Sequence, residues 1–391
     1  MPMNAANDST SDSTGDSKTE SNKEVRYGVI GTGMMGCEHL RNIAALPGAH
    51  TVAYSDPHAP SLAWAAKALE GQPEAASYTS HLELLQRDDL DAILIASPNF
   101  THVDVAADVL RLRPDLHVMI EKPLCTTTAD CQTLIDLRDA RPAGSGIVWV
   151  GLEYRYMPPV ARLISELRSG VIGELKMVAI REHRFPFLVK VDNWNRFTAN
   201  TGGTLVEKCC HFFDLMNLAI GSNVVRVMAS GGQDVNHLDE IYETANGPQR
   251  SDILDNAYVI VEYANGVRAM LDLCMFAEGG PNEQEIVATG VDAKIEAFIP
   301  SGELRIGFRG GSLRSNGAVN SREVRVIDAS HDDRIGFAGF HHGASYLEHA
   351  DFVAAIRSGA PAAVTLEDGL RSVAIGEAAH KSIRTGLPVL L

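Results

Sequence analysis

No uninterrupted apolar stretch in this 391-residue chain reaches the roughly 20 residues that a bilayer-spanning helix needs, so no membrane partner is expected. Basic residues are scarce: 34 Lys and Arg stand against 50 Asp and Glu, a formal net charge of −16. Such a surface repels phosphate backbones and anionic lipid heads, which argues against nucleic acid as a partner and leaves neutral substrates open. Cysteine is sparse as well. The six, at 37, 125, 131, 209, 210 and 274, form no CxxC pair and fit reduced thiols in a cytoplasmic protein. No metal site is expected, because the histidines lack ligand spacing and His341-His342 has no accompanying cysteine or acid pattern. Residues 1–24 contain no hydrophobic segment and no twin arginine; they read as a disordered acidic, polar extension rather than a leader.

What is present begins at Tyr27-Gly-Val-Ile, an apolar run that ends in the spacing Gly31-x-Gly33-x-x-Gly36. The first glycine permits a tight turn, the second lets backbone approach a pyrophosphate, and the third lets the next helix pack on the strand. A second apolar run, Thr51–Tyr54, ends in Ser55-Asp56. A carboxylate there accepts hydrogen bonds from adenosine ribose hydroxyls, and with no arginine beside it in sequence it favours NAD over NADP. Strand and helix patterns then alternate. Helices are expected from Ser61 to Gly71, His81 to Gln86, Thr101 to Arg111 and Asp130 to Ala140; buried strands over 91–96, 116–120 and 146–151. This alternation predicts a doubly wound parallel sheet over residues 25–148, with ligands at its carboxyl ends.

After residue 150 the texture changes to strands of an antiparallel sheet at 175–180, 224–228, 257–263, 267–273, 286–289, 293–298 and 324–327, with Asn265-Gly266 as a hairpin turn. Arg309 to Ser321 reads as a mobile loop, and helices at 346–357 and 366–384 close the chain, placed so that they could pack back on the first domain.

Two segments carry candidate chemistry. Glu121-Lys122-Pro123 directly follows a buried strand, which aims Lys122 into the ligand crevice; the alternative is a solvated surface charge. Gly202-Gly-Thr204 begins a helix on which Glu207, His211 and Asp214 form one polar stripe among apolar residues. Thr204-x-x-Glu207 also reads as a capping box and His211 as a core histidine, and both alternatives stay open on the helix alone. Oxidising an alcohol needs a base for the hydroxyl proton, a carboxylate to orient that base and a cation to polarise the oxygen. His211, Glu207 and Lys122 are of these three kinds. The adjacent Cys209 and Cys210 read as packing residues.

Taken together, Gly31-Thr-Gly33-Met-Met-Gly36, Ala96-Ser-Pro-Asn-Phe-Thr-His102, Glu121-Lys122-Pro123, Gly173, Gly202-Gly203 with Glu207 and His211, and Ala378-Ala-His-Lys-Ser382 make the chain resemble the Gfo/Idh/MocA oxidoreductases from about residue 25 onward. Glu207 stands where many members carry aspartate, and Cys209 where glycine is common. The resemblance implies an α/β architecture: an N-terminal Rossmann domain, 25–148, and a C-terminal α/β domain, 149–391, on a large, mostly antiparallel open sheet that mediates homodimer or homotetramer formation. It also implies catalytic roles for Lys122, His211 and Glu207. NAD would lie against Gly31, Thr32, Gly33, Met34, Met35, Gly36, Asp56, Ser97, Pro98, Asn99, His102, Glu121 and Lys122. A polyol or sugar would meet Lys122, Glu153, Tyr154, Arg155, His183, Asn193, Trp194, Arg196 and His211, with a polar surface loop as the alternative for the 181–196 stretch. The implied reaction is reversible NAD-dependent oxidation of a secondary hydroxyl of a sugar, sugar derivative or cyclitol. Alternatives are an NADP(H)-dependent keto-sugar reductase and a non-catalytic dinucleotide sensor or scaffold.

Overall fold

The computed structural model describes residues 24–244, 247–309 and 323–391. The expected disordered extension and the expected 309–321 loop therefore lie, but for Glu24 and Arg309, outside the described residues.

Six parallel strands, β1 (Val25–Ile30), β2 (Ala49–Ser55), β3 (Ala76–Tyr78), β4 (Ala92–Ile95), β5 (His117–Glu121) and β6 (Val148–Gly151), form one sheet in the order β3-β2-β1-β4-β5-β6. All four residues of β4 are buried, as a strand covered on both faces requires. The helices α1 (Met34–Ala45), α2 (Ala59–Ala68), α3 (His81–Leu84), α4 (His102–Leu112) and α5 (Thr128–Asp139) supply the crossovers. Strand order reverses between β1 and β4, which opens a crevice at their carboxyl ends.

The second half contains α6 (Pro158–Arg168), β7 (Leu175–His183), α7 (Thr198–Thr201), α8 (Thr204–Glu207), α9 (Cys210–Ile220), β8 (Val224–Gly232), β9 (Ile241–Thr244), β10 (Gly247–Arg250), β11 (Asn256–Tyr263), β12 (Arg268–Cys274), β13 (Gln284–Gly290), β14 (Ala293–Ile299), β15 (Glu303–Phe308) and β16 (Val324–Asp328). The chain closes with α10 (Ala344–Ser358), α11 (Leu366–Thr385) and β17 (Val389–Leu390). Nine of these strands make a sheet ordered β16-β15-β14-β13-β7-β12-β11-β8-β17, antiparallel except for the parallel β7–β12 pair. Thus the α/β architecture expected from the sequence is present, with a parallel sheet first and a mostly antiparallel one second. Helices α6, α9 and α11 cover one face of the large sheet. The other face is open and carries exposed Met177, Tyr258, Ile260 and Met270.

Tyr346, Leu347, Phe352 and Val353 of α10 and Val373 of α11 share one buried cluster with the first sheet. Trp149 of β6 packs edge-on to Phe352 and donates its indole N–H to Glu348 Oε1 at 3.1 Å. Five strands escaped the sequence reading: β3, β9, β10, β15 and β17. β3 and β17 hold three and two residues, and the β9–β10 hairpin holds Pro248 and buries no residue fully, so none of these four presents a long apolar alternation, whereas β15 alternates and was missed. Among the described residues no helix is long and apolar enough to cross a membrane.

Candidate functional site

The carboxyl ends of β1, β2, β4 and β5 open into a cleft of about 1020 Å³. Gly31 shapes its floor: at φ 89° a Cβ would lie 2.5 Å from the Ser97 amide nitrogen. At Gly36 a Cβ would lie 2.1 Å from the Gly31 carbonyl oxygen, so this helix and turn can meet only as glycines. Gly33 differs. Nothing lies within 4 Å of its would-be Cβ, and it precedes the twelve-residue α1 with no side-chain cap. The first amides of α1 therefore border open space, an arrangement suited to a diphosphate.

Asp56, just past β2, is held rigidly at the rim. Its Oδ2 accepts the Thr32 amide at 2.8 Å and its Oδ1 the His58 amide at 2.8 Å. Met34, Met35, Ser97, Pro98 and Asn99 also line the cleft. His102 borders it, but its ring nitrogens lie 2.9 Å from the Pro123 carbonyl and 3.0 Å from the Ser97 carbonyl, tying two loops together. Although no arginine neighbours Asp56 in sequence, Arg41 from α1 and Lys67 from α2 line the same cleft. Fit is good: a long cleft, an open helix N-terminus and a fixed carboxylate match the parts of a dinucleotide.

Lys122, at the end of β5, is half-buried in this cleft and donates to the Glu207 backbone carbonyl at 3.3 Å. Burial draws its pKa down, but Cys210, Glu153, Glu121 and Glu207 together push it above the ordinary lysine value, so it is an ammonium. Glu121 turns inward. Its Oε1 meets His39 Nε2 at 2.6 Å and its Oε2 accepts the Lys122 amide at 2.9 Å; against the cost of burial, these neighbours hold its pKa below the usual carboxylate value.

The stripe expected from Glu207 through His211 is broken. At Cys209 the amide reaches back five residues to the Thr204 carbonyl at 3.4 Å, a wide turn separating α8 from α9. That extra residue rotates α9, so the spacing of four no longer puts Glu207 beside His211. Instead Glu207 Oε1 lies 3.8 Å from Lys190 Nζ, and the carboxylate facing His211 Nε2, at 3.6 Å, belongs to Glu153. Nor does the capping box form: Gly203 precedes α8 with no side-chain cap, and the Thr204 hydroxyl donates to the Leu254 carbonyl.

His211 is 2% exposed and its Nδ1 has no hydrogen-bond partner among the described residues. Burial, then the charges of Lys122, Lys208, His341 and Arg184, hold its pKa well below the ordinary histidine value. A neutral imidazole beside an ammonium is an arrangement that can accept a proton while stabilising an oxyanion. His341 lies on the far side of Glu153, its Nε2 3.6 Å from Glu153 Oε1 and its Nδ1 3.6 Å from Glu38 Oε1.

Of the other expected substrate residues, Tyr154 is buried, its hydroxyl bonded to Lys208 Nζ at 2.7 Å. Trp194 lines the cleft, with Lys190 Nζ 4.7 Å above its ring. Asn193 sits beside it at φ 52°, and buried Arg196 donates to the Phe187 carbonyl and the Tyr242 hydroxyl. Two expectations are corrected. Arg155 is committed elsewhere: Asp214 clamps it at 2.5 and 2.6 Å. His183 pairs with Asp272 on the open face of the sheet, because inward positions on β7 are Val178, Ile180 and Glu182. Glu182, missed by sequence reading, meets Lys208 Nζ at 3.0 Å. The period-two alternation of β7 could have found it; nothing in the sequence could have found Lys208, Lys190 or His341. Among the described residues no group of three or more His, Cys, Asp or Glu side chains could hold a metal ion.

Comparison with known proteins adds a family assignment. A model described as the NAD-binding Rossmann fold of an oxidoreductase family matches residues 25–149, and one for that family's C-terminal alpha/beta domain matches 164–391. The chain is 27% identical over 365 residues to the myo-inositol 2-dehydrogenase of Thermotoga maritima, covering 92% of this chain and 96% of that one. It is 26% identical over 372 residues to the uncharacterized oxidoreductase YrbE of Bacillus subtilis, covering 94% and 96%. A levoglucosan dehydrogenase solved with NADH shares the fold at a TM-score of 0.77 and 19% identity, over 94% of this chain and 99% of that one.

Proposed function

Because the chain belongs to the Gfo/Idh/MocA oxidoreductase family, we propose that it oxidises a secondary hydroxyl of a sugar, sugar derivative or cyclitol to a ketone, reversibly and with NAD. The observation carrying this reading is the pairing of an ammonium, Lys122, with a buried neutral imidazole, His211, whose pKa the Lys122 charge depresses. Relatives named inositol 2-dehydrogenase support the substrate class.

On this reading the 31–36 turn and the N-terminus of α1 hold the diphosphate, Asp56 the adenosine ribose, and Ser97–Asn99 the far end. NAD, when bound, supplies the hydride acceptor. His211 takes the hydroxyl proton on Nδ1, its free ring nitrogen. Lys122 polarises the substrate oxygen and stabilises its developing charge. Glu207 and Lys190, paired at 3.8 Å, hold the substrate beneath Trp194, with Asn193 and Arg196 at the edge. Exposed Met177, Tyr258, Ile260 and Met270 on the open sheet face join copies of the chain into a homo-oligomer in the cytoplasm. A polyol panel assayed with NAD by the near-ultraviolet absorbance of reduced coenzyme tests the reading, and no turnover of any cyclitol or sugar would sink it.

Arg41 and Lys67 in the cleft favour a second reading, reduction of a keto sugar with NADP, since both can meet a 2′-phosphate. Comparing both coenzymes in both directions separates the two.

A further inference from the structure

We propose that Glu153 and His341 form a proton exit from His211 to solvent, an inference that rests on the reading of His211 as the base. Glu153 Oε1 stands 3.6 Å from His211 Nε2 and 3.6 Å from His341 Nε2, so one carboxylate bridges two imidazoles from different parts of the fold. Exposure rises along the path: the side chains are 1% exposed at His211, 2% at Glu153 and 20% at His341.

Asp214 is clamped by Arg155 and Glu121 by His39, whereas both Glu153 oxygens, like those of Glu182, have no hydrogen-bond partner among the described residues, and it is Glu153 that stands between His211 and His341. Separations of 3.6 Å suit groups that approach only when a proton must move, as catalytic contacts commonly do before substrate binds.

The step balances. As the substrate O–H bond breaks, its proton goes to His211 Nδ1, while hydride carries the electron pair off the carbon and C–O becomes C=O. The imidazolium releases its Nε2 proton to Glu153 Oε1, which passes it to His341 Nε2 as His341 Nδ1 releases one to water. His341 then returns to its starting tautomer by exchange with solvent, and His211 does so through the substrate site once product has left. Facing His341 are Glu153, Glu38 Oε1 from α1 at 3.6 Å, Ser345 Oγ from α10 at 3.5 Å and the Tyr154 ring at 6.1 Å between centroids. His342 adjoins it in the chain and is held neutral by burial and by the His341 charge.

The test uses the full-length protein with myo-inositol and levoglucosan as probes. In weak buffer, His341→Ala lowers kcat at least about tenfold, and added imidazole restores it, because an external base can take the proton where the path meets water. A lost packing contact would not be restored this way. Glu153→Gln, nearly isosteric but unable to carry the proton, lowers kcat by a similar factor. An unchanged kcat in His341→Ala, a loss that imidazole does not restore, or a fully active Glu153→Gln overturns the proposal. His211→Asn separates the two ideas: turnover surviving there removes the base itself, whereas an inactive His211→Asn beside a fully active His341→Ala removes only the exit.

Discussion

Tyr154 lies flat on His211, the ring centroids 3.9 Å apart and the planes 8° from parallel. The contact seals one face of the imidazole, while Lys208, bonded to the Tyr154 hydroxyl, adds a repelling charge. The expected outcome is that His211 stays neutral across the range in which a free histidine, near pH 6.5, would titrate. Removing a repelling charge should raise its midpoint, so Lys122→Met moves it upward in an NMR titration. A wild-type His211 titrating near 6.5 would contradict this account.

Lys122→Ala should lower turnover by about 10²–10³-fold, while leaving NAD binding largely intact, because the ammonium acts on the substrate oxygen. Coenzyme affinity by fluorescence quenching and kcat on a turned-over polyol check this. Persistent turnover would remove Lys122 from the chemistry.

Asp56 should set coenzyme choice. With Arg41 and Lys67 already in the cleft, Asp56→Ser removes the charge that repels a 2′-phosphate, and the NADP-to-NAD ratio of kcat/KM rises about tenfold or more. An unchanged ratio would take Asp56 out of the coenzyme site.

Arg155 is expected to matter for stability rather than for substrate. Its Asp214 partner is 2% exposed, so Arg155→Ala leaves a buried carboxylate uncompensated and costs about 3–5 kcal/mol in denaturant unfolding. KM for the polyol should hardly change. A raised KM without lost stability would return Arg155 to the substrate site.

Acid should destabilise the fold through His380, whose Nε2 accepts the Leu205 amide at 3.1 Å, at the start of α8. Burial, then the Arg384 charge, pushes its pKa down to about 4. The folded value lies below the unfolded one, so the unfolded chain binds the proton more readily as pH falls. The His380 contribution is present above about pH 6.5 and lost as pH drops towards 4, on the order of 3 kcal/mol in all. His380→Gln keeps an acceptor without the titration, and its melting temperature should fall less between those limits. Equal slopes would refute this.

Much of the fold was legible because it follows local periods. The run to Ile30, the glycines at 31, 33 and 36, the acid at 56 and the lysine at 122 each sit where an apolar strand ends, and backbone connectivity alone carries them to one edge of a sheet. The Asn265-Gly266 hairpin was legible for the same local reason.

What is expressed in contacts between distant segments was not legible. Glu207 was assigned to His211 by counting four residues along a helix, but a single wide turn at Cys209 redirected it to Lys190 and left Glu153 facing the imidazole. His183 missed the site by one position of strand register, and Arg155 was taken up by a carboxylate 59 residues away. The sequence by itself determined the α/β class, the strand ends and the crevice, since periodicity and glycine geometry are properties of neighbours along the chain. Which charges face His211, Lys122 and Asp56 was decided only by tertiary structure, because side-chain partnership depends on helix rotation and strand register that no local spacing encodes.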